Sequence, residues 1–306
     1  MDYFSGLVSP KSQAPLYQDG KILMSLDRSE YFPIQNGIAV LLDHNMLDNK
    51  RNYEMKIFDE LPIHNISYFR PSLFKKIIGQ INFYVKNMHE RIDNTFRIVE
   101  LGGGEGHWAA HCKEKYPKSD VFVCDLSLKA LSRCHPELKR VCADITCPIF
   151  EKKSIHLAVF WVSLHHLGRE SLNKAITEIF SALDESGVLI IFEPNSSFFI
   201  RKIMYNSSLK NDVYFDKNEK ALDFSELSSI AKKAGFIEMQ KSFLNPPYNS
   251  LFVKQLKHWY LYMIAVEILY AVDRFLLEPV FKRLLPARYK NIKKFFTLYG
   301  FAVYKK

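Results

Sequence analysis

Residues Glu100-Leu101-Gly102-Gly103-Gly104-Glu105-Gly106 place glycine at every second position after an acid. Such a run suits a backbone that turns tightly and lets a ligand approach with no Cβ in the way. A helix that follows it offers free N–H groups to that ligand. A dinucleotide fingerprint counted from Gly102 and Gly104 needs a third glycine where His107 stands, which weakens a nicotinamide reading. No P-loop Gly-Lys-Ser/Thr occurs. Two further acids, Asp125 and Asp144, follow later apolar runs, and His165 and His166 sit together in Ser163–Leu167. An imidazole takes a proton from a hydroxyl near neutral pH. The rival role for either histidine is packing, with a bond to a neighbouring carbonyl. Glu193 stands near the end of a later apolar run, suited to binding a substrate or capping the next loop.

These residues need a scaffold, and from Phe96 the apolar pattern supplies one. Strand-like runs at 96–101, 120–126, 138–144, 156–162, 187–194 and 236–243 alternate with helix-like runs. That alternation predicts an α/β fold with a mostly parallel sheet covered by helices on both faces. Ligands of such sheets sit at the carboxyl ends of the strands. The last ten residues, 297–306, read as a terminal strand.

The Glu-x-Gly-x-Gly-x-Gly run resembles motif I of the class I S-adenosylmethionine-dependent methyltransferases. Asp125, in Val-Phe-Val-Cys-Asp-Leu-Ser, stands where that family places an acid on the ribose hydroxyls. Asp144, in Cys-Ala-Asp-Ile-Thr, stands where a polar side chain reaches the adenine amino group. Ser163–Leu167 has a form common in methyltransferases of small metabolites and lipids. The resemblance covers roughly residues 70 to 245 plus the last strand. It implies a Rossmann-like sheet of parallel strands with one antiparallel last strand. It implies S-adenosyl-L-methionine as cofactor, held by Glu100, Gly102, Gly103, Gly104, Gly106, Asp125, Leu126, Asp144, Ile145 and Trp161. His165 and His166 are the candidate bases, and Glu193 and Tyr248 the candidate substrate-binding residues. Asn245-Pro246-Pro247-Tyr248 spells the motif of adenine and glutamine amino-methyltransferases, but Ser163–Leu167 already holds the fourth-strand position that this motif needs.

The organisation expected is a small β-rich unit over 1–43, a connector and helix over 44–95, a catalytic domain over 96–248, a helical insertion over 249–296 and the last strand over 297–306. The helix within 44–95 is expected to open at Ser72 as N-cap. The first unit resembles the zinc-ribbon-like activator domain of transfer-RNA methyltransferases. Its usual ligand positions near Ser9, Ser12 and Ser25 carry serine, a poor zinc ligand, so no metal is expected. The insertion is aromatic and basic, fitting a lid or a face that docks on anionic lipid.

With 48% hydrophobic and 25% charged residues, the 306-residue chain is globular rather than disordered. The net charge of +9 attracts phosphates, anionic lipid or acidic substrates. Five cysteines without a C-x-x-C pair predict buried thiols in a reducing compartment. No signal peptide is visible, and the run Trp259–Val272 is too short to span a membrane. A cytoplasmic location is therefore expected, with peripheral contact at the inner membrane face left open. The function expected is methyl transfer, O-methylation foremost, to a small-molecule, saccharide or lipid-linked acceptor. The alternatives are a transfer-RNA methyltransferase and a non-catalytic S-adenosylmethionine-binding module. No RNA-binding aromatic-basic strand face is recognisable, which ranks nucleic acid below the other acceptors.

Overall fold

The computed structural model describes residues 3–42, 47, 49–60, 78–79, 81–86, 96–197, 221–244, 275, 278–284 and 299–306. Its strands are β1 (Leu16–Asp19), β2 (Ile22–Ser25), β3 (Tyr31–Gln35), β4 (Ile38–Val40), β5 (Arg97–Leu101), β6 (Asp120–Asp125), β7 (Lys139–Cys142), β8 (Ile155–Trp161), β9 (Leu183–Pro194), β10 (Ile237–Leu244) and β11 (Tyr299–Lys305). The helices numbered below are α1 (Asn49–Glu60), α2 (His107–Lys115), α3 (Leu128–Ser132), α4 (Arg169–Ala182), α5 (Phe224–Ala234) and α6 (Glu278–Leu284). The strands form one sheet in the order β1-β2-β3-β4-β7-β6-β5-β8-β9-β11-β10. From β4 to β9 every pairing is parallel, while β11 runs antiparallel to both β9 and β10. The strand and helix alternation predicted the mostly parallel sheet, and the resemblance implied its Rossmann-like form with an antiparallel last strand.

The central strands are near-continuous apolar runs because both faces of the sheet are covered. In β8, Leu157, Ala158, Val159 and Phe160 are all fully buried. Alternate residues feed two cores, one on each face: Val99, Ala158 and Phe160 on one, Ile98, Leu157 and Val159 on the other. Helix α4 covers the first core with Leu172, Ala175, Ile176 and Ile179, a stripe at helical spacing. Helix α5 adds Phe224, Leu227, Ile230 and Ala231. It starts at Asp223, whose carboxylate accepts the Ser225 N–H at 2.8 Å, and stops at Gly235, with φ +112°.

Several boundaries differ from the sequence expectation. The N-terminal strands continue the same sheet. β4 pairs in parallel with β7, matching Ile38 to Arg140 and Val40 to Cys142. The Val8 N–H donates to the Ile149 carbonyl at 2.9 Å. Without β4, β7 would be a bare edge, and the wholly apolar Ile38-Ala39-Val40 is buried by covering it. Helix α1 begins inside the expected polar connector, and its apolar residues are too sparse to announce it. β9 begins at Leu183, ahead of the expected start at Gly187, and α4 ends correspondingly early. Residues 78–79 and 81–86 are helical, whereas Ser72, the expected N-cap, lies outside the described residues. So do Asn245–Tyr248 and most of 249–296. Among the described residues no helix is long and apolar enough to cross a membrane.

Candidate functional site

β5, β6, β7 and β8 run in parallel, so their carboxyl ends lie on one edge of the sheet. The expected cofactor residues follow those ends. The glycine loop leaves β5 with the Gly102 and Gly103 N–H groups donating to the Cys124 carbonyl at 2.8 and 3.1 Å. Gly102 has φ +66° and Gly104 φ +54°, a backbone that L side chains rarely adopt. Their surroundings differ. A Cβ on Gly102 would stand 2.5 Å from Ser163 Cβ, so the loop is packed hard against the turn after β8. A Cβ on Gly104 would meet nothing within 4 Å. The Gly104 flank is the open side, with room beside bare backbone. Gly103 packs over Val123 and Glu100, and Gly106 is the residue from which α2 starts.

Two acids brace this loop. The Asp125 carboxylate accepts the Gly104 N–H and the Ser127 N–H, each at 2.8 Å. Burial pushes its carboxyl above the usual range, while the Ser127 and Gly104 amides and the nearby His166 pull it back. Glu100 is buried and accepts the Ala109 N–H at 2.9 Å. Burial pushes its carboxyl up to about 8, with the Ala109 bond opposing. Glu100 therefore shapes the loop from behind.

Asp144 is engaged more fully than the sequence suggested. One oxygen accepts the Thr146 N–H at 2.9 Å and the Thr146 hydroxyl at 2.8 Å. The other pairs with the Arg51 guanidinium, which also donates to Ser171 Oγ at 3.0 Å. Ser127 Oγ donates to Asp59 Oδ1 at 2.6 Å. Helix α1 is thereby tied to the ends of β6 and β7 and to the start of α4. Sequence reasoning missed Arg51 and Asp59, and no local pattern marks either. Leu126 and Ile145 follow the two acids and are half-buried. Trp161 ends β8 with its ring 5.0 Å from that of Phe192.

The histidine turn, Leu164–His166, is a single 3-10 turn after β8. Ser163 Oγ donates to the Leu101 carbonyl at 2.9 Å, tying this turn to the glycine loop. The His165 and His166 rings lie 4.0 Å apart. Glu193, expected to bind a substrate or cap the next loop, is fully buried and bonded to this turn. Tyr248 lies outside the described residues. The five cysteines are free, and burial pushes their thiols above the usual range. Among the described residues no group of three or more His, Cys, Asp or Glu has the arrangement of a metal site.

The methyltransferase-domain family matches residues 98–187, which span β5 to the start of β9. Residues 98–187, with the glycine loop, Asp125 and Asp144, are thus a methyltransferase domain, with S-adenosyl-L-methionine as its cofactor. The open Gly104 flank, the Asp125 carboxylate beside it and the Asp144 carboxylate at the next strand end fit that cofactor.

No curated protein sequence matches the chain significantly. Solved structures similar to it include a methyltransferase from Archaeoglobus fulgidus (16% identity, TM-score 0.48, 76% of this chain and 94% of that one). Another is phosphoethanolamine N-methyltransferase 2 from Haemonchus contortus with S-adenosyl-L-methionine (15%, TM-score 0.49, 90% and 62%). A third is a cyclopropane synthase from Mycobacterium tuberculosis (12%, TM-score 0.47, 75% and 84%). Identities this low transfer none of those proteins' substrates to this chain.

Proposed function

We propose that this protein transfers the methyl group of S-adenosylmethionine to a hydroxyl of a small-molecule, saccharide or lipid-linked acceptor, with His165 as the base. The observation that carries the reading is the packing of the histidine turn against the glycine loop, Gly102 against Ser163. That packing supports a base carried by the histidine turn. When bound, the cofactor supplies an electrophilic methyl group on a sulfonium. The protein's part is to hold the acceptor oxygen about 3 Å from that carbon, exclude water and receive a proton. With Nδ1–H donated to Glu193 Oε2 at 2.9 Å, His165 keeps Nε2 as the proton acceptor. Asp125 and Glu100 hold the loop, and Asp144, with Arg51 and Thr146 on it, flanks the adenine side.

The acceptor class is tested by incubating the protein with S-adenosylmethionine carrying a labelled methyl group and a cell extract. The extract is then separated into RNA, lipid and small solutes. Label is expected in lipid or small solutes. Label confined to RNA favours the transfer-RNA reading, and no label in any fraction favours a non-catalytic module. A lipid-linked acceptor fits α6, where Val280 and Leu284 are exposed beside Lys282 and Arg283.

Residues 1–43 are read as a zinc-ribbon-like unit that holds its shape without zinc. Ser9 Oγ donates to Glu30 Oε1 at 2.8 Å, and Ser12 Oγ donates to the other oxygen of the same carboxylate. The Glu30 N–H in turn donates to Ser25 Oγ at 3.1 Å. One residue thus ties together the three serines at the expected ligand positions. Chelator treatment is expected to leave the melting temperature unchanged. One equivalent of zinc in purified protein, lost together with stability on chelation, would overturn this reading.

A further inference from the structure

We infer that Arg133 and Cys134, just past the C-terminal end of α3, are positioning residues of the cofactor site: they hold the outer half of the glycine loop, Gly104–Gly106, in the shape that meets the cofactor. The inference rests on the reading of that loop as the cofactor site and deepens it. Gly104 has nothing within 4 Å of its Cβ position, so its flank stays open. The backbone polar groups of such a residue need partners on its other sides. Both are taken. The Gly104 N–H donates to Asp125 at 2.8 Å, and the Gly104 carbonyl accepts the Cys134 thiol at 3.3 Å. Cys134 is buried, and burial pushes its thiol above the usual range, so the sulfur keeps the proton it donates.

These two anchors sit at opposite ends of one short helix. The carboxylate that holds the Gly104 N–H also accepts the Ser127 N–H at 2.8 Å. Ser127 Oγ in turn caps α3 by accepting the Ala130 N–H at 2.9 Å. After the five residues of α3, the Arg133 N–H donates to the Ala130 carbonyl at 3.0 Å and the Cys134 N–H to the Leu131 carbonyl at 3.2 Å. A closed ring results, from Gly104 through Asp125, Ser127, α3 and Cys134 back to Gly104, with α3 as its strut. Glu105 adds a second tie. Its side chain is 8% exposed, with Arg133 Nε 2.6 Å from one oxygen and His107 Nε2 3.2 Å from the other. A carboxylate this buried is little screened by salt, so its cation fixes the peptide that carries it. At Gly106 an added Cβ would stand 3.3 Å from Cys134 Sγ. Three consecutive loop residues thus meet the segment after α3, whereas the Gly102 and Gly103 N–H groups bond to the Cys124 carbonyl of β6. The sheet fixes the inner half of the loop, and the end of α3 fixes the outer half.

Arg133→Gln and Cys134→Ala test the strut, with S-adenosylhomocysteine as the probe and calorimetric titration as the measurement. Affinity is expected to fall about threefold to tenfold in each. The Gly104 and Gly106 amide signals of the ligand-free protein should shift in 1H–15N spectra, a readout that needs no cofactor. Arg133→Lys keeps the charge and should recover part of the affinity. Arg133 is partly exposed, so Arg133→Gln carries the test even if Cys134→Ala fails to fold. A double-mutant cycle separates positioning from a merely structural role: Glu105→Gln combined with Arg133→Gln should weaken binding no more than either change alone. Additive losses in that cycle overturn the inference. Unshifted loop amides in folded variants do the same. So does a lowered melting temperature with undiminished affinity, provided that Asp125→Ala weakens binding. Undiminished affinity in Asp125→Ala as well overturns instead the reading of the loop as the cofactor site, and the strut with it.

Discussion

His165→Gln is expected to slow methyl transfer by about 10²–10⁴-fold, the range for loss of a positioned general base. Glutamine offers no basic nitrogen in place of the imidazole. It retains an amide N–H able to donate to the buried Glu193, so the turn is not left with an unpaired carboxylate. The loss should therefore appear in the rate and not in cofactor binding. His166 provides the comparison. Its ring lies 4.0 Å from that of His165, and its charge acts on Asp125. His166→Gln should consequently disturb the cofactor side more than proton removal. The measurement is single-turnover transfer of labelled methyl into the fraction that the wild type labels, beside titration with S-adenosylhomocysteine. A rate for His165→Gln within threefold of wild type would remove His165 from the chemistry.

Asp125→Ala should carry the second largest effect, on binding. The carboxylate holds the Gly104 N–H and the Ser127 N–H at once, linking the glycine loop to the start of α3. Gly104 is the loop residue with open space beside it, so its orientation decides how the ligand meets the backbone. Removing a charged hydrogen-bond partner costs about 1.5–3 kcal/mol, equivalent to roughly tenfold or more in affinity. Both the ribose contact expected of this acid and the loop geometry are lost in the alanine variant. Calorimetric titration with S-adenosylhomocysteine reads the change, and undiminished affinity would sink the assignment of Asp125 to the cofactor.

Legibility followed the range of the interactions. The glycine loop was visible because alternate glycines mark a left-handed backbone within a few residues, and Gly102 and Gly104 have that backbone. The alternation of strand and helix was visible because burial on both faces demands continuous apolar runs such as Leu157–Phe160. Helix α1 was not visible, because Asn49–Glu60 has no strong apolar stripe and is held by the polar contacts of Arg51 and Asp59 instead. Glu193 was read as binding a substrate or capping the next loop, and the structure bonds it to the turn after β8. A carboxylate at a strand end has the same sequence signature whether it faces a cleft or the turn beside it.

By itself the sequence determined the conformations that are cheap only for particular residues, and the order of elements that bury apolar runs. Those local preferences define the sheet, the loop and the edge on which a ligand binds. Tertiary structure alone decided the partners. Arg51 meets Asp144 across 93 residues, and Glu193 meets His165 across 28. β4 completes the edge of β7 from about a hundred residues away. Each pairing depends on a buried or half-buried polar group, or on an open strand edge, finding its complement in space. The energy that selects it lies in desolvation and hydrogen bonding between distant segments, for which neighbouring residues carry no pattern.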